Sequence, residues 1–211
     1  MSRPSHAAAI YDEAGLSRYR ALVGSFFYPF GIRSVVADRV PIRSGDRILD
    51  AGCGHGILSR AVRAKIERGG IEGTEHHAFD LSEDMLRGFE KSGPPGVELR
   101  RADVRDLPYD DESFDLIVTS AMLEYLPDLG EGLSSLGRCL KPGGRIFVFI
   151  SRKSPLNTLL FRPFGDPRCY SREEVERGLI DAGLRGILRH RFPLRCTWLN
   201  AWGFIFEATK P

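Results

Sequence analysis

The chain has 211 residues, of which 42% are hydrophobic, 10% aromatic and 27% charged. That length suits one domain whose core needs neither metal nor disulfide, and the composition excludes wholesale disorder and fibrous architectures. Thirty Lys and Arg against 28 Asp and Glu leave a formal charge of +2, a balance that does not mark a nucleic-acid binder. The longest near-apolar run, Val23 to Ile32, contains Ser25, Pro29 and two glycines and is too short to span a bilayer. Asp12 and Glu13, with no long apolar stretch around them, argue against a secretory signal. Cys53, Cys139, Cys169 and Cys196 are widely spaced and include no CxxC pair. They predict thiols in a reducing, cytoplasmic compartment rather than a zinc site or a disulfide framework.

Residues 5–40 read as helical, and Pro41 closes that region. Arg47–Ala51 is a short apolar strand running into glycines. Gly56–Arg68 then carries apolar residues at helical spacing, ended by Gly69 and Gly70. A second strand, weak by propensity, should end at Asp80, followed by a helix capped by Ser82 with Glu83 and Asp84 in its first turn. "GPPG" at 93–96 precedes a third strand, "VELRR". Phe114–Thr119 is a fourth strand, Leu129–Leu140 a helix, "KPGG" at 141–144 a turn and "RIFVFI" a fifth strand. Residues 151–170 look irregular. Ser171 with Glu174 predicts a capping box, and segments near 184–192 and 197–209 are β-like. Strands alternating with helices through residue 150 predict a parallel α/β sheet covered on both faces.

"LDAGCGHG" at 49–56 is the most informative segment. Gly52, Gly54 and Gly56 sit between a strand and a helix, where glycine permits positive φ and lets a ligand touch the backbone. The helix that follows offers unpaired N–H groups and a positive dipole end. A phosphate loop would need GK[ST], which His55-Gly56-Ile57 does not supply. A dinucleotide loop would place its third glycine one residue later. Asp50 at the loop entry is unhelpful to a pyrophosphate and suits a cationic ligand. Asp80, at the end of strand two, could accept both hydroxyls of a ribose. Asp103, after strand three, could accept from an adenine amino group, with Val104 against the ring.

These residues resemble the class I S-adenosylmethionine-dependent methyltransferases, and among them the small-molecule, quinone-methyltransferase-like (type 11) branch. The matching pieces are "ILDAGCGHG", "FDLSEDML", "ADVRDLPYDDESFDLIVTSAMLEYLPD" and "LKPGGRIFVF", in the family's order across roughly residues 45–150. The resemblance implies a Rossmann-like seven-stranded sheet in the order 3-2-1-4-5-7-6, with strand seven antiparallel and helices on both faces. It implies that Asp50, Gly52 and Gly54 line the methionine part of the cofactor. Asp80 would bind the ribose beside Leu81 and Met85, Asp103 and Val104 would bracket the adenine, and Ser120 would face the amino-acid end. Many relatives have Thr or Ser at His55 and His at Tyr125, so no shared catalytic histidine is implied.

A sulfonium makes its methyl group electrophilic, so the protein must align a nucleophile and exclude water. A general base is needed only for a nucleophile that holds its proton, and Glu124, Tyr125, Tyr11, Tyr170 and His190 are the candidates. No metal is expected. His76 and His77 read as structural, the acidic run "YDDESFD" at 109–115 as a solvated loop and Cys53 as a buried filler. The whole chain reads as one domain: a helical lid (1–40), a cofactor-binding core (45–150), a substrate-side insert (151–170) and a C-terminal helix with strands (171–211). The lid carries Tyr11, Tyr19, Phe26, Phe27, Tyr28 and Phe30. From Arg152 to Arg195 ten basic residues face five acidic ones, an excess suited to an anionic acceptor or a membrane surface. The leading reading is methyl transfer to O, N or C of a small molecule that is anionic or lipid-like. The alternatives are an RNA or protein methyltransferase, a silent cofactor-binding subunit and a nicotinamide dehydrogenase.

Overall fold

Apolar five- to seven-residue runs separated by one-sided helices leave each strand to be covered on both faces. The computed structural model describes residues 28–162 and 167–211. In chain order come α1 (Tyr28–Arg39), β1 (Arg47–Ala51), α2 (Ile57–Gly69), β2 (Glu75–Asp80), α3 (Glu83–Ser92) and β3 (Glu98–Arg101). There follow β4 (Phe114–Ser120), a 3-10 turn (Leu123–Tyr125), α4 (Leu129–Cys139), β5 (Leu140–Ser151) and α5 (Pro155–Phe161). The chain ends with α6 (Arg172–Asp181), β6 (Arg185–His190), a second 3-10 turn (Leu194–Cys196), the short α7 (Leu199–Trp202) and β7 (Gly203–Thr209).

Among the described residues seven strands form one sheet in the order β3-β2-β1-β4-β5-β7-β6. β7 runs antiparallel to both β5 and β6, while β1, β2, β3, β4 and β5 pair in parallel. This is the expected order. Its direction reverses between β1 and β4, and ligands of open α/β sheets bind beyond the carboxyl ends of the strands at such a point.

Strand residues alternate between the two faces. Leu49, Ile117, Ile146 and Val148 pack with α4 and α6, whereas Ile48, Leu116, Phe147 and Phe149 pack with α1 and α2. Capping follows the sequence signals. Ser82 Oγ accepts from Met85 N at 3.3 Å, and Ser171 and Glu174 exchange both bonds of a capping box.

Four boundaries differ from expectation. "KPGG" is not a free turn: β5 begins at Leu140 and bulges through it, the register stepping from Phe114↔Leu140 to Leu116↔Arg145. Lys210 N donates to Gly144 O, and Gly143 N to Lys210 O, so pairing with the chain's end holds that bulge. The 151–170 segment contains α5, and 197–209 splits into the turn of α7 and β7. Of the segment assigned as a lid, only Tyr28–Arg39 is described, and it is built into the core. Ile32, Val35 and Val36 are buried against α2, and Lys65 Nζ donates to the carbonyls of Val36, Ala37 and Val40 at the end of α1. A cation there satisfies carbonyls that no helix turn can reach. Tyr11, Tyr19, Phe26 and Phe27 lie outside the described residues.

Candidate functional site

The loop between β1 and α2 turns on three left-handed glycines, Gly52 (φ 69°), Gly54 (φ 52°) and Gly56 (φ 88°). Side chains with a Cβ adopt this region only at a cost. Their surroundings differ. A Cβ at Gly52 would lie 2.3 Å from Met122 Cγ, and one at Gly56 would lie 2.8 Å from Phe89 Cε2. At Gly54 the nearest atom would be Met85 Sδ, 3.8 Å away. Gly52 and Gly56 are thus small because the protein packs on them, while at Gly54 a Cβ would make only an ordinary contact.

Asp50 lies beneath this loop, 0% exposed. Its Oδ2 accepts from Ser59 N at 2.9 Å and from Ser59 Oγ at 2.6 Å, which caps the first turn of α2 from below. Its Oδ1 has no partner, and burial lifts the carboxyl pKa to about 7. The first contacts of Asp50 are therefore with the helix start. Ser59 Oγ also lies 3.4 Å from His76 Nε2, and burial lowers the His76 pKa to about 3.

Asp80 joins loop to strand. Its Oδ2 accepts from Gly54 N at 2.9 Å and its Oδ1 from Ser82 N at 2.9 Å. Burial raises its pKa, opposed by the backbone N–H groups of Ser82, Gly54 and Leu81. A carboxylate has about four acceptor positions, so two such bonds leave room for hydroxyl donors. Leu81 is half-buried and Met85 buried beside it. At the next strand end Asp103 is gripped by Arg105, whose Nε lies 3.0 Å and 3.2 Å from its two carboxylate oxygens. That pairing holds the Asp103 carboxyl below the usual range. Val104 is buried behind it.

Ser120 closes β4, and its Oγ lies 2.7 Å from Tyr28 Oη. Ala121 follows with φ 53°, a strained turn at the strand end. It swings the next residues back, so that Met122 covers Gly52 and Glu124 points inward. Glu124 is 3% exposed. Its Oε1 accepts from Ser151 N at 2.8 Å, while Oε2 has no partner. Burial lifts its pKa to about 7, and its charge in turn adds to the burial that raises the pKa of Tyr28.

The other candidate bases are differently placed. Tyr170 is buried, with Oη 3.5 Å from Leu123 O, and burial raises its pKa to about 12. His190 is committed to Glu207 at 2.7 Å and stacks on Phe147. Tyr125 lies half-buried on the 3-10 turn, and Tyr11 is outside the described residues. All four cysteines are buried thiols, and burial raises the pKa of Cys53 well above its ordinary value. In the acidic run, Asp111 pairs with Arg138 and Asp115 with Lys141. Among the described residues no group of three or more His, Cys, Asp or Glu is arranged to hold a metal. Sequence reasoning named Tyr28 only among the lid aromatics, and missed Ser59 and Ser151. Only Ser59 had a local signal, as a hydroxyl in the first turn after an acidic loop entry.

Residues 49–148 match the family model described as "Methyltransferase domain". A demethylmenaquinone methyltransferase of Clavibacter sepedonicus is 40% identical over 107 residues, 50% of this chain and 41% of that protein. Just under half of the chain therefore resembles a methyltransferase domain. A ubiquinone biosynthesis O-methyltransferase of Xylella fastidiosa (strain 9a5c) is 29% identical over 153 residues, 65% of this chain and 59% of that protein. The chain thus spans 41% and 59% of the length of these two curated relatives. Among solved structures, a SAM-dependent methyltransferase from Aquifex aeolicus has a TM-score of 0.70 at 20% identity, covering 92% of this chain and 98% of that one. Phosphoethanolamine N-methyltransferase 2 of Haemonchus contortus, in complex with S-adenosyl-L-methionine, has a TM-score of 0.73 at 18% identity, covering 100% of this chain and 61% of that one. The matched residues include the glycine loop, Asp80, Asp103, Ser120 and Glu124. They leave out α1, α5 and the segment from β6 to β7.

Proposed function

We propose that the chain moves a methyl group from S-adenosylmethionine to O, N or C of a small acceptor of lipid-like or anionic character. The observation that carries this reading is the bond from Gly54 N to Asp80 Oδ2, which sets a left-handed loop glycine against a half-buried carboxylate. The described residues fit the cofactor. Asp80 keeps acceptor capacity for the ribose hydroxyls, with Leu81 and Met85 as its apolar neighbours. Asp103 and Val104 would hold the adenine, the Asp103 carboxylate shared with Arg105. Gly52 and Gly54 would line the methionine part, with Ser120 at its amino-acid end and the unpartnered Asp50 Oδ1 beneath.

When bound, the cofactor supplies a methyl group on a sulfonium. The chain's own task is to align the acceptor, keep out water and take a proton where the acceptor has one to lose. Glu124 Oε2 suits that last task, because it is buried, unpartnered and on the same strand edge as Ser120. Tyr28 and Ser120 would wall the acceptor side. The cofactor half is then 45–150, and the acceptor half is drawn from α1, from 151–170 and from residues that lie outside the described ones. Four buried thiols support a reducing, cytoplasmic setting. No described helix is long and apolar enough to cross a membrane.

A screen with methyl-labelled cofactor tests the reading, with acceptors grouped as quinones and phenols, amino-lipids and small acids. Label is expected in one of these groups. Label only in RNA or in protein would contradict it.

A further inference from the structure

Two segments meet at the carboxyl edge of the sheet, where Ser151 pairs with Gly203. One is 152–162, which leaves β5 and forms α5. The other is 189–198, which leaves β6 and leads to α7. Asn157 fastens them together: its side-chain amide donates to Arg152 O at 2.6 Å, Trp202 O at 3.1 Å and Ala201 O at 3.3 Å. Phe161 packs on Trp202, with ring centroids 6.1 Å apart.

This platform exposes what a globular surface ordinarily hides. Leu194 is 92% exposed, Leu159 67%, Leu156 61% and Trp198 44%. Single exposed leucines are common, but four large apolar side chains gathered on one edge are not. The same two segments hold six Arg or Lys and no Asp or Glu. Arg152, Lys153 and Arg162 come from the first, and Arg189, Arg191 and Arg195 from the second; all six are exposed. Several surface arginines elsewhere are neutralised, as in Arg87–Asp84, Arg101–Glu83, Arg105–Asp103, Arg138–Asp111 and Arg172–Glu176. Among the described residues none of the six platform cations has an ion pair.

Leu and Trp side chains ringed by unpaired cations match the interface of an anionic bilayer. The apolar groups enter the acyl boundary while the cations meet lipid phosphates. We infer that this edge docks on an anionic membrane surface and that the acceptor is a molecule dissolved in the bilayer. The inference rests on the proposed methyl transfer and deepens it, since Ser120 ends β4 and the buried Glu124 follows it at this same carboxyl edge of the sheet. An acceptor could then pass from lipid to the site without crossing bulk water.

The test uses the full chain with vesicles of dioleoylphosphatidylglycerol or dioleoylphosphatidylcholine. The chain's two tryptophans, Trp198 and Trp202, both lie in the platform, so intrinsic fluorescence reports on it. The anionic vesicles should sediment with the protein and shift its emission to the blue. Binding should be about tenfold weaker to the zwitterionic vesicles and fall about tenfold as salt rises from about 50 to about 300 mM. Leu194→Ser, and separately Lys153→Glu with Arg195→Glu, should each weaken vesicle binding about tenfold while calorimetry shows cofactor affinity unchanged. No binding to anionic vesicles by a protein that binds cofactor would overturn the inference. So would binding that ignores all three substitutions, or sedimentation showing a dimer that Leu194→Ser dissolves, which would make a second copy the occupant. Vesicle binding without cofactor binding would instead overturn the methyl-transfer reading and leave membrane docking supported.

Discussion

Tyr28 Oη and Ser120 Oγ lie 2.7 Å apart although 92 residues separate them in the chain. The bond pins the described start of α1 to the end of β4, next to the Glu124 turn. One turn later Gly31 meets the 191–202 segment so closely that a Cβ there would lie 2.3 Å from Leu199 Cδ1. α1 is therefore a wall of the site as well as a core helix. A chain starting at Arg33 would lose both contacts and the buried Ile32, and it is expected to melt far below the parent. A chain starting at Tyr28 keeps them, and is expected to fold and bind cofactor while losing turnover. Thermal melts and turnover of the two truncations check this.

Glu124 links pH to both stability and rate. Burial lifts its pKa, like that of Asp50, to about 7. The folded state then holds these protons more tightly than the unfolded chain does. Their contribution to stability is full below the unfolded carboxyl pKa and is lost as pH rises through about 7. Melting temperature should therefore fall between pH 5 and pH 8. Glu124→Gln should reduce that slope and melt above the parent at pH 8, because Oε1 can still accept from Ser151 N. The same substitution should lower kcat by about 100-fold and remove a limb that rises with an apparent pKa near 7. A kcat–pH profile identical to the parent's would remove Glu124 from the chemistry.

The two loop glycines should respond differently. Gly52→Ala places its Cβ inside Met122, so it should cost several kcal/mol and lower the melting temperature by roughly 10 °C. Gly54→Val meets no protein atom that closely. Its cost is mainly that of a positive φ, about 1–2 kcal/mol, yet its side chain would stand where the cofactor is proposed to lie. Native circular dichroism with no measurable cofactor binding is expected for Gly54→Val. Native affinity there would show that the loop faces something else.

Asn157 is expected to matter for stability alone. Asn157→Leu removes the amide that donates to three carbonyls; Trp202 O keeps its bond from Arg152 N, and a carbonyl left buried and unpaired costs about 1–3 kcal/mol. The melting temperature should drop by several degrees with cofactor affinity unchanged.

Most of the sheet was legible because its signals are local. Glycines after an apolar run, Ser82 before an acidic turn and the Ser171–Glu174 pair each act within a few residues. The weak second strand, with two histidines, formed because His77 packs on Tyr109 and Phe114 and bridges to Glu98, partners that come from two other strands and a loop. The bulge at "KPGG" depends on Lys210 at the far end of the chain, and α7 depends on Asn157 and Phe192 reaching it from elsewhere. The charge of Asp50 was legible, but its burial and its two bonds to Ser59 were not, because they form only once α2 packs over β1. Glu124 could not be singled out for the same reason: its orphaned oxygen exists only once Ser151 has taken the other.

The most direct measurement is calorimetry of S-adenosylmethionine, and of its demethylated product, against the parent and Asp80→Ala. The substitution removes the acceptor of Gly54 N, the same carboxylate that is proposed to accept from the ribose hydroxyls. Loss of one charge-assisted hydrogen bond costs about 1.5–3 kcal/mol, roughly 10- to 150-fold in affinity. The parent should bind both ligands, and Asp80→Ala should bind both more weakly by that factor while remaining folded. Equal affinities in the two proteins, or no binding by the folded parent, would contradict the assignment of this edge as the cofactor site.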